Sequence, residues 1–174
     1  MKKNLTKAIF TAALTMAAGV TMAQTNLGAD CGCPAVSART TVLMSTLADN
    51  SGGATDGDLT AANTTLTCDK VYVLDKKIFV PDGKSITIQP GTLIKGDTSA
   101  TTNNATALIV SRGGKIFAAG TQSCPIVFTT TLDPMDGTYG VSNTQKWGGV
   151  VLLGRGVNNI ATGQTLYISP GVAR

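Results

Sequence analysis

Ile88-Gln89-Pro90-Gly91-Thr92 returns along the chain as Phe117-Ala118-Ala119-Gly120-Thr121, and again as Ile168-Ser169-Pro170-Gly171-Val172. The match widens on either side. Ile78-Phe79-Val80, a turn at Gly83, Ile86, Ile88 and then Gly91-Thr92-Leu93-Ile94 run alongside Leu108-Ile109-Val110, Gly113-Gly114, Ile116, Phe117, Gly120-Thr121 and Ile126-Val127-Phe128. A unit that recurs must bury its apolar face against its neighbours, so the repetition outranks any local signal. Each unit reads as three short strands and three turns. The stretch Asp97 to Thr106 is polar, rich in Thr and Asn, and reads as an inserted loop. Without it the repeat is roughly 20 residues, the size of one coil of a stacked β-solenoid.

A helical solenoid needs apolar residues three and four apart over long stretches. Here β-branched residues instead sit in runs of four to seven, bounded by Gly, Pro, Asp and Asn. The expected fold is all-β, a right-handed parallel β-helix of few coils, the hand following from the preference of parallel crossovers. Ile86, Ile88, Leu108, Val110, Ile116, Ile126, Phe128, Val151 and Ile168 are expected to point inward.

Residues 1–23 read as a signal peptide. Lys2, Lys3 and Lys7 open it, Ala8 to Val20 form its apolar core, and Thr21-Met22-Ala23 carries small residues where a signal peptidase looks, so the mature chain is expected to start at Gln24. The apolar stretch is shorter than the roughly 20 residues that span a bilayer, so no membrane span is expected after its removal. Of the 14 basic residues three lie in this leader, leaving 11 against 10 acidic ones. No basic stripe remains for nucleic acid. Residues 24–65 have weak periodicity and read as a flexible N-terminal segment that caps the first coil; residues 66–174 read as the coils.

Composition narrows the chemistry. The chain has no His and no Glu, which excludes a Ser-His-Asp triad, a Cys-His pair, a His-bound metal and a Glu general acid. Its 27 Thr and 20 Gly suit an exported β protein. Four cysteines in such a chain point to disulfides. Cys68 and Cys124 each precede an apolar strand and look like equivalent positions of stacked coils, about 4.8 Å apart. The expectation is a Cys68–Cys124 bond, with Cys31 and Cys33 paired to each other or to a partner. Strict repeat counting opposes it, because Leu93-Ile94 falls between the two strands.

Ala107 to Thr121, Cys124-Pro125-Ile126-Val127-Phe128-Thr129 and Lys146-Trp147-Gly148-Gly149-Val150-Val151-Leu152-Leu153-Gly154-Arg155 together resemble the start of secreted right-handed parallel β-helix proteins on the surface of Bacteroidetes-type bacteria. The resemblance covers Leu66 to Arg155. It implies export to the outer cell surface or medium, with the periplasm as the other compartment, and no settled biochemical activity. Members are usually longer and many carry a C-terminal domain for type IX secretion; a chain ending at Arg174 is therefore expected to be a truncated product, self-associating through an open C-terminal coil.

Three settings carry candidate chemistry. Asp133 and Asp136 are the candidate calcium ligands and the sole cofactor expectation, although the same spacing makes Asp-Pro and Asp-Gly turns. Arg112, Lys115 and Arg155 could supply the base of a polysaccharide lyase. Trp147, beside Gly148-Gly149, is the candidate ligand contact, with strand packing as the other reading. The leading function is a non-catalytic structural or adhesive surface protein, with surface polysaccharide or other cell-surface proteins as partners. The alternative is a polysaccharide lyase-like or carbohydrate-binding protein. Aligned acids and bases on one face would favour the second; a face of Thr, Ser and Asn would favour the first.

Overall fold

The structure is a computed structural model that describes residues 26–98 and 105–156. The expected leader, the third copy of the repeat and Ile168 lie outside the described residues. The strands are β1 (Thr40–Leu43), β2 (Asn63–Leu66), β3 (Lys70–Leu74), β4 (Lys77–Val80), β5 (Ser85–Ile88), β6 (Leu93–Gly96), β7 (Ala107–Val110), β8 (Lys115–Phe117), β9 (Val127–Thr130) and β10 (Val150–Leu152). They form three sheets in the orders β1-β3-β6-β9, β4-β7-β10 and β2-β5-β8, here sheets one, two and three. Every strand pair within them is parallel. From β2 onward the chain visits sheets three, one and two in rotation, which is the path of a parallel β-helix.

The register reproduces the sequence repeat. Ile78 pairs with Leu108, Ile86 with Ile116 and Ile94 with Phe128. Thr64 pairs with Ile86 and Val71 with Leu93, so a turn without insertions takes 22 residues. Phe117 pairs with Thr87 instead of Ile88, one place off the repeated phrase, and so faces outward, 54% exposed. The interior holds Tyr72, Leu74, Ile78, Val80, Ile86, Ile88, Ile94, Leu108 and Val110, with Ile116, Ile126 and Phe128 packed against them. Each fully buried side chain of this kind contributes about 1.5–3 kcal/mol.

Val151 is a correction. It pairs with Ile109 and joins Phe79, Ala107 and Leu153 on the outer face of sheet two, while Val150 and Leu152 take the phase of Leu108 and Val110. The run Val150 to Leu153 is apolar throughout, so nothing in it sets the two-residue phase, and a one-place error turns every side chain over.

The coils also begin before residue 66. β1 pairs with β3, β2 with β5, and Asp58 bridges to Phe79, so residues 40–66 supply a first coil. Met44, Ala48 and Leu59 from this stretch are buried in the interior. In β2, Asn63-Thr64-Thr65-Leu66, only Leu66 is apolar, so the inward place taken by Thr64 hides the alternation.

The disulfides differ from the expected pairing: Cys31 bonds Cys124 and Cys33 bonds Cys68. Val71, Leu93 and Val127 are ladder partners, which puts Cys68, Pro90 and Cys124 at equivalent places on three successive coils. Two coil steps are about 10 Å, beyond the 6.8 Å or so that a disulfide allows between Cα atoms. The tripeptide Cys31-Gly32-Cys33 spans the gap, with Cα–Cα distances of 6.3 and 5.5 Å across its two bonds.

The strap crosses the middle coil at Gly91. A Cβ there would lie 2.7 Å from Cys33 Sγ and 3.0 Å from Gly28 Cα, at a backbone φ of +78°, so both space and conformation call for glycine. Buried Arg39 fastens the strap: Nε donates to Pro34 O at 3.0 Å, Nη1 to Gly91 O at 2.9 Å, and Nη2 to Leu27 O. Burial lowers the pKa of this guanidinium, and Asp69 opposes the shift. Leu27 and Val36 then cover Val71, Leu93 and Val127 on the outer face of sheet one.

Candidate functional site

Asp133 is buried in the loop after β9. Its Oδ1 accepts from Met135 N at 2.8 Å and its Oδ2 from Thr129 Oγ1 at 2.7 Å, while its carbonyl accepts from Lys95 Nζ at 2.6 Å. These bonds turn Met135 onto Val71 and Leu93, helping to cover sheet one. Burial lowers the pKa of Lys95, with Asp133 acting against it. Asp136 is exposed and accepts from Thr138 Oγ1 at 2.5 Å and Thr138 N at 2.9 Å, which hold its carboxyl below the usual value. Each carboxylate thus serves its own turn. Among the described residues no group of three or more potential metal ligands comes together.

Trp147 points into the helix. A Cβ on Gly96 would lie 2.4 Å from Trp147 Cγ, so the ring occupies the room left by the missing side chain of an inward-facing glycine. The half-buried indole packs against the interior cluster. This is the packing arrangement, reached because Gly96 sits in the same column as Leu74 and Thr130.

The three basic residues lie at the corners between sheets two and three. Arg155 Nη2 reaches Asp82 Oδ2 at 2.6 Å, an exposed pair that crosses Gly113. Arg112 and Lys115 are exposed in the neighbouring turn and at the start of β8. The structure does not bring Asp133 or Asp136 into contact with any of them.

Sheet three supplies what the motif reading missed. Inward Ile86, Ile88 and Ile116 fix its phase, so the alternate residues face out: Asn63, Ser85 and Lys115 in one row, Thr65, Thr87 and Phe117 in the next. Ser85 Oγ donates to Asn63 Oδ1 at 2.7 Å along the first row. These side chains are exposed or half-buried, whereas Val71 and Leu93 on sheet one, and Phe79 and Ile109 on sheet two, are buried on the outer faces of their sheets. The signal was present in the strict alternation of Ser85-Ile86-Thr87-Ile88. At the β2 end of this face a cavity of about 520 Å³ opens beside the strand edge that has no ladder partner among the described residues.

Residues 57–170 match the family described as a pectate-lyase-like β-helix domain. The chain belongs to this family. No curated protein and no solved structure matches the chain. The β-helix domain match spans β2 to β10, and it includes Asp133, Asp136, Trp147 and the basic corner. The two disulfides, which tie Cys31 and Cys33 to the matched domain, suit an oxidising compartment, and no helix among the described residues is long and apolar enough to cross a membrane.

Proposed function

We propose that the chain is an exported, non-catalytic β-helix protein of structural or adhesive type, making contact through the outer face of sheet three. The observation that carries this reading is the chemistry of that face. Rows of Asn, Ser and Thr at strand spacing stand open to solvent, while apolar rows back the other two sheets. Such a face offers hydroxyl and amide groups that both donate and accept, which suits broad contact, and its one titratable side chain, Lys115, stands at the end of its row. The strap stiffens the same stack by tying its coils covalently. Exposed Phe117 and Leu152 on the last described coil support self-association as a further use of that end.

The test is retention of the full chain on bacterial cells and their insoluble surface polymers, beside an assay for unsaturated sugar released from polygalacturonate with calcium. Retention is expected, with loss in a Thr65→Glu/Thr87→Glu variant, and no unsaturated product. Calcium-dependent product that disappears in Asp133→Ala/Asp136→Ala would establish the lyase-like alternative, which the family description favours and for which Arg112, Lys115 and Arg155 are the candidate bases.

A further inference from the structure

We infer that the cavity beside β2 and the outer face of sheet three together form one binding site for a neutral polysaccharide, the chain end seated in the cavity and the chain running along the face to Phe117. The inference rests on the adhesive reading and names the ligand for it.

The cavity has the size of a small-ligand site, within the range of about 300–1,000 Å³. Thr46, Thr60, Asn63 and Thr65 line it with hydroxyl and amide groups, over an apolar floor that includes Val42 and Leu47. That combination matches a sugar ring, which presents hydroxyls at its edge and C–H groups on its face. Thr64 also lines the cavity, and its buried Oγ1 is without a hydrogen-bond partner among the described residues. A buried hydroxyl without a partner is an unmet demand that a ligand or water of the right chemistry would satisfy.

Charge decides between neutral and acidic sugars. Lys70 is the one charged side chain in the lining, and it is paired with Asp69 at 3.1 Å. An acidic polysaccharide would bring carboxylates to a cavity whose one lining cation is already engaged, and the rows add only Lys115, at their far end. A neutral one asks for hydroxyl and amide partners alone, which is what the lining holds.

The rows carry the site beyond the cavity. Asn63 and Thr65 belong to both, and the rows continue through Ser85 and Thr87 at one strand spacing, about 4.8 Å. They end at Phe117, an exposed aromatic face of the kind on which a sugar ring stacks. A ligand must therefore be extended to reach all of it.

The test is calorimetric titration of the full chain with cello- and manno-oligosaccharides of increasing length, and with oligogalacturonate. Neutral oligosaccharides are expected to bind, with affinity rising with length until Phe117 is reached, and with little change on raising salt. Phe117→Ala and Asn63→Ala should each weaken binding about three- to tenfold, with unaltered thermal melting since both side chains are exposed. Phe117→Ala should also abolish the gain with length. Preference for oligogalacturonate that fades with salt, binding indifferent to both variants, or no binding by any of these sugars would each overturn the inference. Retention on cells without binding of neutral sugars, for instance through a surface protein, overturns the ligand and leaves the adhesive reading standing. Release of unsaturated product overturns the adhesive reading itself.

Discussion

Replacing Cys31 and Cys124 by Ser removes the outer bond of the strap and leaves the inner one. The two bonds are 93 and 35 residues in sequence separation. With Cys33–Cys68 intact, the 35 residues that it closes are bypassed, so the loop shut by Cys31–Cys124 is effectively 58 residues. On the chain-entropy relation this corresponds to about 4 kcal/mol, rising to about 5 kcal/mol when the inner bond is absent and the full 93 residues are freed. A domain of this size is stable by only about 5–15 kcal/mol, so the loss is large. Urea unfolding should therefore show the unfolding free energy falling by that amount, the midpoint falling with it, and the slope m rising because the released chain exposes more surface when unfolded. Connectivity is checked directly by trypsin without reductant. Cys31 and Cys33 share the peptide that ends at Arg39, which is 24–39 in the chain without its leader; Cys68 lies in 40–70 and Cys124 in 116–146. The strap predicts one species holding all three peptides. Two peptides joined through Cys68 and Cys124, or a loss of stability under about 1 kcal/mol with unchanged m, would refute the reasoning.

Trp147→Ala should lower stability by about 3 kcal/mol, because it empties the space over Gly96; no change in urea unfolding would mean that the ring only serves a surface. Gly96→Ala should shift the fluorescence of this sole Trp, since the new methyl would meet the indole at 2.4 Å. Thr64→Val should raise the unfolding free energy by about 1 kcal/mol by removing a buried hydroxyl that lacks a partner among the described residues, and a loss of that size in the same titration would show that the hydroxyl is bonded. Asp49, Asp56, Asp69 and Asp136 all have folded-state pKa values below the usual one, chiefly through side-chain hydrogen bonds from Thr55, Lys76, Thr67 and Thr138. Their contribution is therefore present above the unfolded carboxylate value near 4 and lost as pH falls through the lowered values. Unfolding midpoints should hold down to about pH 4 and drop below it.

The repeat carried most of the fold, because in a parallel β-helix a ladder partner is the same residue one coil later. Ile78 with Leu108 and Ile94 with Phe128 could be paired from the sequence for that reason. What failed was whatever the repeat does not contain. The strap lies outside it, so nothing local announced that Cys31 and Cys33 would straddle a middle coil; the sign was Gly91, whose missing side chain makes room for the crossing. Trp147 was ambiguous for a related reason: its place is set by an absent side chain at Gly96, far away in sequence. Asp133 and Asp136 read as ligands because turn-forming and metal-binding aspartates share the same spacing, and only the donors around them tell the two apart.

The candidate contact face was legible in a different way. A strand covered on both sides is apolar throughout, whereas a strand with one side in water alternates. Val71-Tyr72-Val73-Leu74 in sheet one and Ala107-Leu108-Ile109-Val110 in sheet two belong to the first kind, and both sheets carry buried apolar rows on their outer faces. Ser85-Ile86-Thr87-Ile88 belongs to the second, with its isoleucines inside and its hydroxyls out. In sheet three only this middle strand shows the alternation in its sequence, because inward Thr64 hides it in β2 and outward Phe117 hides it in β8. The alternation in Ser85-Ile86-Thr87-Ile88 also says where contact with a hydrophilic partner is least costly, because Asn63, Thr65, Ser85 and Thr87 already stand outward, solvated and aligned from coil to coil.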